Sequence, residues 1–213
     1  MAALATGCSN DPAKSQPEGA ITDVAASKVC DGALDASAAA ALQRLSGTDR
    51  FDERVGTNDA GEPNTFSLDR AVKHLHGEYL KRSACWVYKS GDESGQPLFE
   101  VRFSASLTYP SGSGKESEDD RVRYHLGVYA VAGRNGADMF FRCPTNATTN
   151  DAYVGNTNYV KAEMFSVTSK MRGDNVNKDR MMVLNSMSRK VAAKAGCASQ
   201  AALPSQVPEA EAD

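Results

Sequence analysis

The stretch that decides the fold is FEVRFSASLTY, Phe99–Tyr109. Apolar and polar residues alternate along it, so successive side chains would point to opposite faces of a β-strand. One apolar and one polar face are typical of a strand in an antiparallel sheet that is buried on one side. We therefore expect Phe99–Tyr109 to form a half-buried antiparallel strand.

Further strand signals lie on both sides of this stretch. We expect strands at Ala84–Lys89, Val122–Ala130 and Met139–Cys143, which are rich in aromatic, β-branched or alternating residues. The segment Arg134–Gly136 contains the Asn-Gly pair typical of a hairpin turn. Tyr159–Lys170 is ambiguous, and its Tyr, Val, Phe and Thr content favours a strand. Together these segments predict an antiparallel sheet of about four to five strands.

Three segments show the apolar spacing of a helix. The first begins at a cap residue, Asp35 or Ser37. The second is capped by Ser67, and its apolar stripe is Leu68, Val72, Leu75 and Tyr79. The third spans Asp179–Ala195 and ends at a glycine. Two N-terminal helices, a meander of strands and one C-terminal helix predict an α+β domain.

Four of the five cysteines lie at the ends of predicted elements: Cys30, Cys85, Cys143 and Cys197. None belongs to a Cys-x-x-Cys pair, so the spacing of zinc and thioredoxin-like sites is absent. Four cysteines allow three pairings. We favour Cys30–Cys85 and Cys143–Cys197, because each bond joins a terminal helix to the nearest strand. The alternative, four free thiols in a cytoplasmic protein, stays open.

The fifth cysteine, Cys8, lies in the segment LATGCS, Leu4–Ser9. Small residues directly before a cysteine are similar to the cleavage and acylation box of a bacterial lipoprotein, although Ala5 stands where leucine is usual. Residues 1–8 would then be a truncated signal peptide, because export needs an apolar region of about 7–15 residues behind a charged start. We expect a lipid anchor on Cys8, and the alternative is a fortuitous cysteine in a cytoplasmic protein.

Composition divides the rest of the chain. Residues 9–28 are polar and rich in small residues, which predicts a flexible tether. Residues 29–197 would form the single α+β domain, and residues 198–213 a disordered tail. The formal net charge is −3 and the lysines and arginines are scattered. The chain therefore lacks the basic stripe of a nucleic-acid-binding protein.

Few residues suggest catalysis or metal binding. His74 and Glu78 are four apart on the second predicted helix and would share one face, as metal ligands or a base with its carboxylate do. We favour a solvated polar face there, since His76 would point away from the pair. His125 is expected on the opposite sheet face from its apolar neighbours, and nothing completes a catalytic triad. The sequence therefore predicts no catalytic, metal or cofactor-binding residue.

Two further features carry weaker functional interpretations. The acidic run Glu116–Asp120 lacks the spaced oxygen ligands of a calcium loop, which favours a solvated edge over a cation site. Trp86, the lone tryptophan, adjoins Cys85. It could recognise a ligand, but we favour packing against a disulfide in the core.

The order of these features resembles a family of uncharacterised exported lipoproteins of the streptomycete, actinobacterial type. The resemblance rests on the Cys8 box followed by four segments that each contain one cysteine: Val29–Leu34, Ala84–Val87, Phe140–Pro144 and Ala195–Cys197. It implies an extracytoplasmic location on the outer face of the cytoplasmic membrane and adds no activity.

These observations favour one function among three. We expect a membrane-anchored, non-enzymatic domain that binds an envelope ligand or protein partner. The first alternative is a cell-envelope hydrolase or metal-dependent enzyme that uses His74, Glu78 or the Glu116–Asp120 carboxylates. The second is a cytoplasmic protein in which Cys8 has no anchoring role.

Overall fold

The computed structural model describes residues 21–110, 121–147 and 152–211. The strands in this part of the chain are β1 Ile21–Ala25, β2 Arg50–Glu53, β3 Cys85–Lys89, β4 Phe99–Ser106, β5 Val122–Arg123, β6 Tyr129–Gly133, β7 Gly136–Thr145 and β8 Thr157–Ser166. They form one antiparallel sheet in the order β1-β2-β3-β4-β8-β7-β6-β5. The longest neighbours, β4, β8 and β7, lie at its centre.

The helices connect and cover this sheet. In the described residues they are α1 Val29–Gly32, α2 Ala36–Ser46, α3 Leu68–Lys73, α4 Val176–Lys194 and α5 Ala198–Ala201, with 3₁₀ turns at Tyr79–Lys81 and Thr168–Lys170. The expected α+β class is therefore confirmed. Each helix in the described residues is too short or too polar to span a lipid bilayer.

Alternation along β4 gives the sheet two different faces. Phe99, Val101 and Phe103 are buried in one cluster with residues of α4 such as Leu184, because odd-numbered side chains of β4 point toward the helices. We call this the helical face. The opposite face, called the outer face, carries Arg102 and the other even-numbered side chains of β4. The antiparallel strand expected from FEVRFSASLTY is thus present, but it ends at Ser106 rather than Tyr109, and Glu100 and Arg102 on its outer face are buried as well.

The two longer helices, α2 and α4, are joined by capping and charge. The side chain of Asp35 accepts a hydrogen bond from the Ala38 amide at 3.0 Å at the start of α2, as an N-cap residue does. Arg44 of α2 binds Asp179 of α4 with two hydrogen bonds, Nη2 to Oδ1 at 2.5 Å and Nε to Oδ2 at 3.1 Å. This bidentate pair fixes the crossing of α2 over α4.

Both expected disulfides are present. Cys30 bonds to Cys85 across 55 residues, and Cys143 bonds to Cys197 across 54. The first ties α1 to β3, and the second ties β7 to the residue before α5. In the chain-entropy account, closing loops of this length stabilises the fold by roughly 4 kcal/mol per bond.

The expectation of four to five strands is wrong, because the sheet has eight. The short strands β1 and β2 are too brief to show a period. The segment Val122–Ala130 alternates but contains a turn, which separates β5 from β6. That turn needs Gly127, whose φ is +59° and where an added Cβ would overlap the carbonyl oxygen of Phe140.

The expected tether and tail are both shorter than the sequence indicates. Residues 21–25, placed in the 9–28 tether, form β1, where Val24 pairs with Phe51. Residues 198–211, placed in the disordered tail, begin with α5. Leu203 and Val207 then pack against the core, and Ala210 forms a β-bridge with Tyr124. Single apolar residues are enough to fix these polar segments on the domain, because the core offers apolar side chains for them to pack against. Residues 9–20 lie outside the described residues.

Candidate ligand-binding groove

His74 and Glu78 do not share a helix face. The helix α3 ends at Lys73, five residues before Glu78, and His74 is its C-cap residue. Glu78 precedes the 3₁₀ turn Tyr79–Lys81 as its N-cap residue. The interpretation of one continuous helix from Leu68 to Tyr79 is therefore wrong. The pair loses the geometry that suggested a metal site or a base with its carboxylate.

His76, expected to point away from that pair, is a buried structural residue. Its Nδ1 lies 2.9 Å from the carbonyl oxygens of Val154 and Gly155, and its Nε2 lies 3.0 Å from Thr145 Oγ1. These contacts anchor the segment after α3 to the β7–β8 end of the sheet. The imidazole is thus occupied on both nitrogens.

The remaining ionisable candidates do not assemble a reactive site. His125 is largely exposed, and its Nδ1 lies 3.2 Å from Glu211 Oε1. The acidic run Glu116–Asp120 lies outside the described residues. Within the described ranges, no three His, Cys, Asp or Glu side chains are close enough to hold a metal ion.

A groove of about 290 Å³ lies on the outer face, at β2, β3 and β4. We call it the Arg–Trp groove and define it by five lining residues: Arg54, Tyr79, Arg82, Trp86 and Arg102. Trp86 is one residue from Cys85, yet it lies on the opposite face because neighbours on a strand alternate. The expectation that Trp86 packs on the disulfide in the core is therefore wrong. It is a groove residue.

Arg102 forms the floor of the groove, and two of its three guanidinium nitrogens have hydrogen-bond partners. It forms an ion pair with Glu100 through Nε and donates from Nη1 to the Tyr79 carbonyl oxygen at 3.1 Å. It also lies 3.9 Å from the ring centroid of Tyr79 and 5.5 Å from that of Trp86. Burial raises the pKa of Glu100, and the Arg102 charge opposes that rise.

Arg54 approaches the groove from the end of β2. Its guanidinium lies 5.0 Å from the Trp86 ring centroid, within the range of a cation–π contact. Its backbone amide donates to the Trp86 carbonyl oxygen at 3.3 Å. Among the described residues, no carboxylate lies within ion-pair distance of Arg54. The tryptophan thus orients an exposed guanidinium, whose charge also lowers the pKa of the Glu100 carboxyl.

Arg82 supplies a second guanidinium without a carboxylate partner in the described part of the chain. It is half-buried, and its Nε donates to the Gly77 carbonyl oxygen at 3.0 Å. Burial lowers the pKa of Arg82, and the nearby Arg102 adds to that effect, while Glu163 opposes it. Glu163 is itself paired with Lys161, Nζ to Oε2 at 2.6 Å. Glu163 therefore acts on Arg82 without ion-pair contact, while it shares Lys161 with Asp138.

The wall of the groove is organised by two asparagines. Asn58 donates from Nδ2 to the Leu80 carbonyl oxygen at 2.5 Å, and its Oδ1 accepts from the Ala60 amide at 2.9 Å. Asn64 donates from Nδ2 to the Val55 carbonyl oxygen at 3.1 Å. The Asn58–Leu80 bond fastens the loop after β2 to the 3₁₀ turn opposite, and the other two bonds hold the loop itself. Hydrogen bonds within the protein thus hold the wall of the groove in place.

Exposed apolar side chains surround this charged centre. Tyr79 is 51% exposed and Leu80 is 47% exposed on the groove itself. Phe165, which is also exposed, lies on the outer face because it pairs with Glu100. Aromatic residues and arginine around a recess are the composition of binding hot spots.

The arginines of this groove were missed at the level of sequence. Arg102 is the one that the sequence could have indicated, since it occupies an outer-face position of the clearest predicted strand. Arg54 and Arg82 lie in segments whose contacts with the rest of the sheet cannot be predicted from the local sequence. Comparisons with protein-family models, with curated proteins and with solved structures found no significant match to this chain.

Proposed function

We propose that this protein is an extracytoplasmic lipoprotein whose α+β domain binds a ligand in the Arg–Trp groove. A lipid on Cys8 would hold it to the outer face of the cytoplasmic membrane. The observation that carries the binding function is a groove containing two arginines, Arg54 and Arg82, without carboxylate partners in the described part of the chain.

The energetic cost of burying the Arg82 guanidinium supports the binding of a ligand in the groove. Half-burying a guanidinium that has no carboxylate within ion-pair distance is unfavourable, and the lowered pKa of Arg82 reflects that cost. A bound anionic group would supply the missing partner. Since the groove walls are fixed by Asn58 and Asn64, binding would require little reorganisation.

The location is supported by the two disulfides and by the Cys8 box. Disulfides persist in oxidising compartments and are rare in the cytosol. A lipid with two acyl chains on Cys8 would anchor the protein stably, whereas one chain binds a membrane only marginally. The resemblance to exported lipoproteins agrees with both observations.

The experiment for the binding function is native mass spectrometry of the full chain isolated from its own cell envelope. We expect a bound small molecule on the unmodified protein that is lost from Arg82→Met. The matched control is Arg142→Met, because Arg142 is exposed on β7 and does not line the groove. Equal occupancy in all three proteins, or no bound molecule in any of them, would contradict the proposed site.

A further inference from the structure

We infer that the ligand of the Arg–Trp groove is a small amphipathic monoanion. Its carboxylate or phosphodiester group would bind Arg54 and Arg82, and its apolar body would contact Tyr79 and Leu80. This inference rests on the proposed binding function and names the class of ligand.

The charge balance of the groove favours a single negative charge. Three arginines line it together with one acid, Asp59. Glu100, beneath the floor, is paired with Arg102. With Glu163, which lies opposite Arg102, cancelled against its partner Lys161, counting Asp59 and Glu100 leaves a formal surplus of one positive charge. A monoanion shared between Arg54 and Arg82 matches this surplus.

The arrangement of the guanidiniums identifies which of them would hold the anion. Arg102 already serves Glu100, the Tyr79 carbonyl oxygen and two aromatic rings. Arg54 is oriented by Trp86 alone, so its N–H edges remain for an acceptor. Arg82 uses Nε on Gly77 and keeps its two terminal nitrogens. A planar guanidinium presents these donors as a fork that suits carboxylate and phosphate oxygens.

The apolar part of the ligand follows from the rim. The rings of Trp86 and Tyr79 already lie against guanidiniums, which disfavours a neutral sugar that needs a free aromatic face. Tyr79 and Leu80 nevertheless remain about half exposed beside the groove. Burying that surface under an apolar group would stabilise the complex.

The size of the groove limits the ligand. Its volume of about 290 Å³ is at the lower end for small-molecule sites, which span roughly 300–1,000 Å³. One ring with one anionic substituent fits this space.

The lone tryptophan makes the inference testable by NMR. The chain contains a single tryptophan, Trp86, so the indole N–H signal reports on the groove alone. The probes are benzoate, methyl phenyl phosphate and benzamide, which have similar shapes but carry a carboxylate, a phosphodiester or no charge. Each is titrated into the full chain at constant pH and ionic strength.

We expect saturable shifts of the indole signal with one or both anions, and the tighter of the two identifies the anionic group. Binding of that anion should weaken about tenfold or more in Arg82→Met and in Arg54→Met, because each loses charge-assisted bonds. Arg142→Met should bind like the unmodified chain. Unchanged far-UV circular dichroism and a cooperative thermal transition check that each variant remains folded.

Two outcomes overturn the inference while leaving the binding function in place. One is benzamide binding as tightly as the anions. The other is no probe shifting the indole signal although native mass spectrometry shows a ligand that depends on Arg82. Failure of the binding function is separate, since it is the absence of any such ligand on the protein from its own envelope.

Discussion

Arg102 holds Tyr79 by two contacts at once, with its guanidinium 3.9 Å from the ring centroid and its Nη1 3.1 Å from the backbone carbonyl oxygen. The strand β4 and the 3₁₀ turn Tyr79–Lys81 are thereby joined across the outer face. Because Glu100 binds the same guanidinium, one arginine positions both the floor and one wall of the groove.

Replacing Arg102 should therefore destabilise the protein and open the groove. In Arg102→Met, the buried carboxylate of Glu100 loses its partner, and we expect the free energy of unfolding at neutral pH to fall by about 3–5 kcal/mol. The loss should shrink as pH is lowered, since protonation removes the unpaired charge. Urea denaturation at several pH values measures both effects.

The control for Arg102 is the double variant Glu100→Met, Arg102→Met. Removing both charges should restore most of the lost stability, because apolar residues of similar size often replace a buried ion pair at little cost. A double variant as unstable as Arg102→Met would show that the arginine acts through something other than its pairing with Glu100.

Glu53 should make the stability depend on pH. Its buried carboxylate accepts a hydrogen bond from the Cys30 amide at 2.8 Å, and burial raises its pKa above the ordinary value of 4.5, with Asp31 adding to the rise. A raised pKa means that the folded state binds the proton more tightly than the unfolded state. The contribution of Glu53 is thus full below pH 4.5 and is lost as pH rises through the folded pKa.

Glu53→Gln keeps an acceptor for the Cys30 amide and removes the charge. We expect its free energy of unfolding, relative to the unmodified protein, to increase between pH 4 and pH 7. Glu53→Ala leaves the amide without an acceptor and should cost about 1–3 kcal/mol at pH 4, and the cost should shrink toward pH 7 because this variant also lacks the buried charge. A Gln variant whose relative stability does not change with pH would contradict the raised pKa.

Gly127 should resist substitution more than another glycine of similar backbone conformation. Gly127 and Gly61 both have positive φ, +59° and +77°, but an added Cβ meets the Phe140 carbonyl only at Gly127. Gly61→Ala should cost about 1–2 kcal/mol from its backbone conformation alone, and Gly127→Ala distinctly more. Thermal unfolding of the two variants gives the comparison, and equal losses would argue against the close approach.

The Cys143–Cys197 bond should stabilise the C-terminal segment as well as the whole domain. The variant Cys143→Ala, Cys197→Ala removes closure of a 54-residue separation, and we expect a loss of about 2–5 kcal/mol. Since Cys197 immediately precedes α5, amide hydrogen exchange should accelerate first in residues 198–211. Uniform acceleration along the chain would show that the bond acts on the domain alone.

The parts of the fold that could be predicted are those with a local period. The alternation of Phe99–Tyr109 indicates β4 and its buried side, and the spacing of Leu184 and Val191 indicates the last helix. The disulfide pairing followed from the same elements, because each cysteine lay beside the strand or helix that it joins. Local pattern was sufficient wherever an element was long.

The groove could not be predicted in the same way. Its residues come from the end of β2, the 3₁₀ turn, β3 and β4, and only the pairing of these segments brings them together. The helix α3 also ends at Lys73, earlier than its apolar stripe indicates. Leu75 lies beyond the end of the helix and is nevertheless buried in the core. Long-range packing overrides local spacing at both places.

The measurement that tests the proposed function most directly is mass spectrometry of the protein from its own cell envelope, intact and after digestion without reduction. We expect an N-terminal Cys8 that carries a diacylglyceryl group, with peptide pairs linked through Cys30–Cys85 and Cys143–Cys197. An unmodified residue upstream of Cys8 at the N-terminus, together with free thiols at the other four cysteines, would contradict the anchor and the oxidising location.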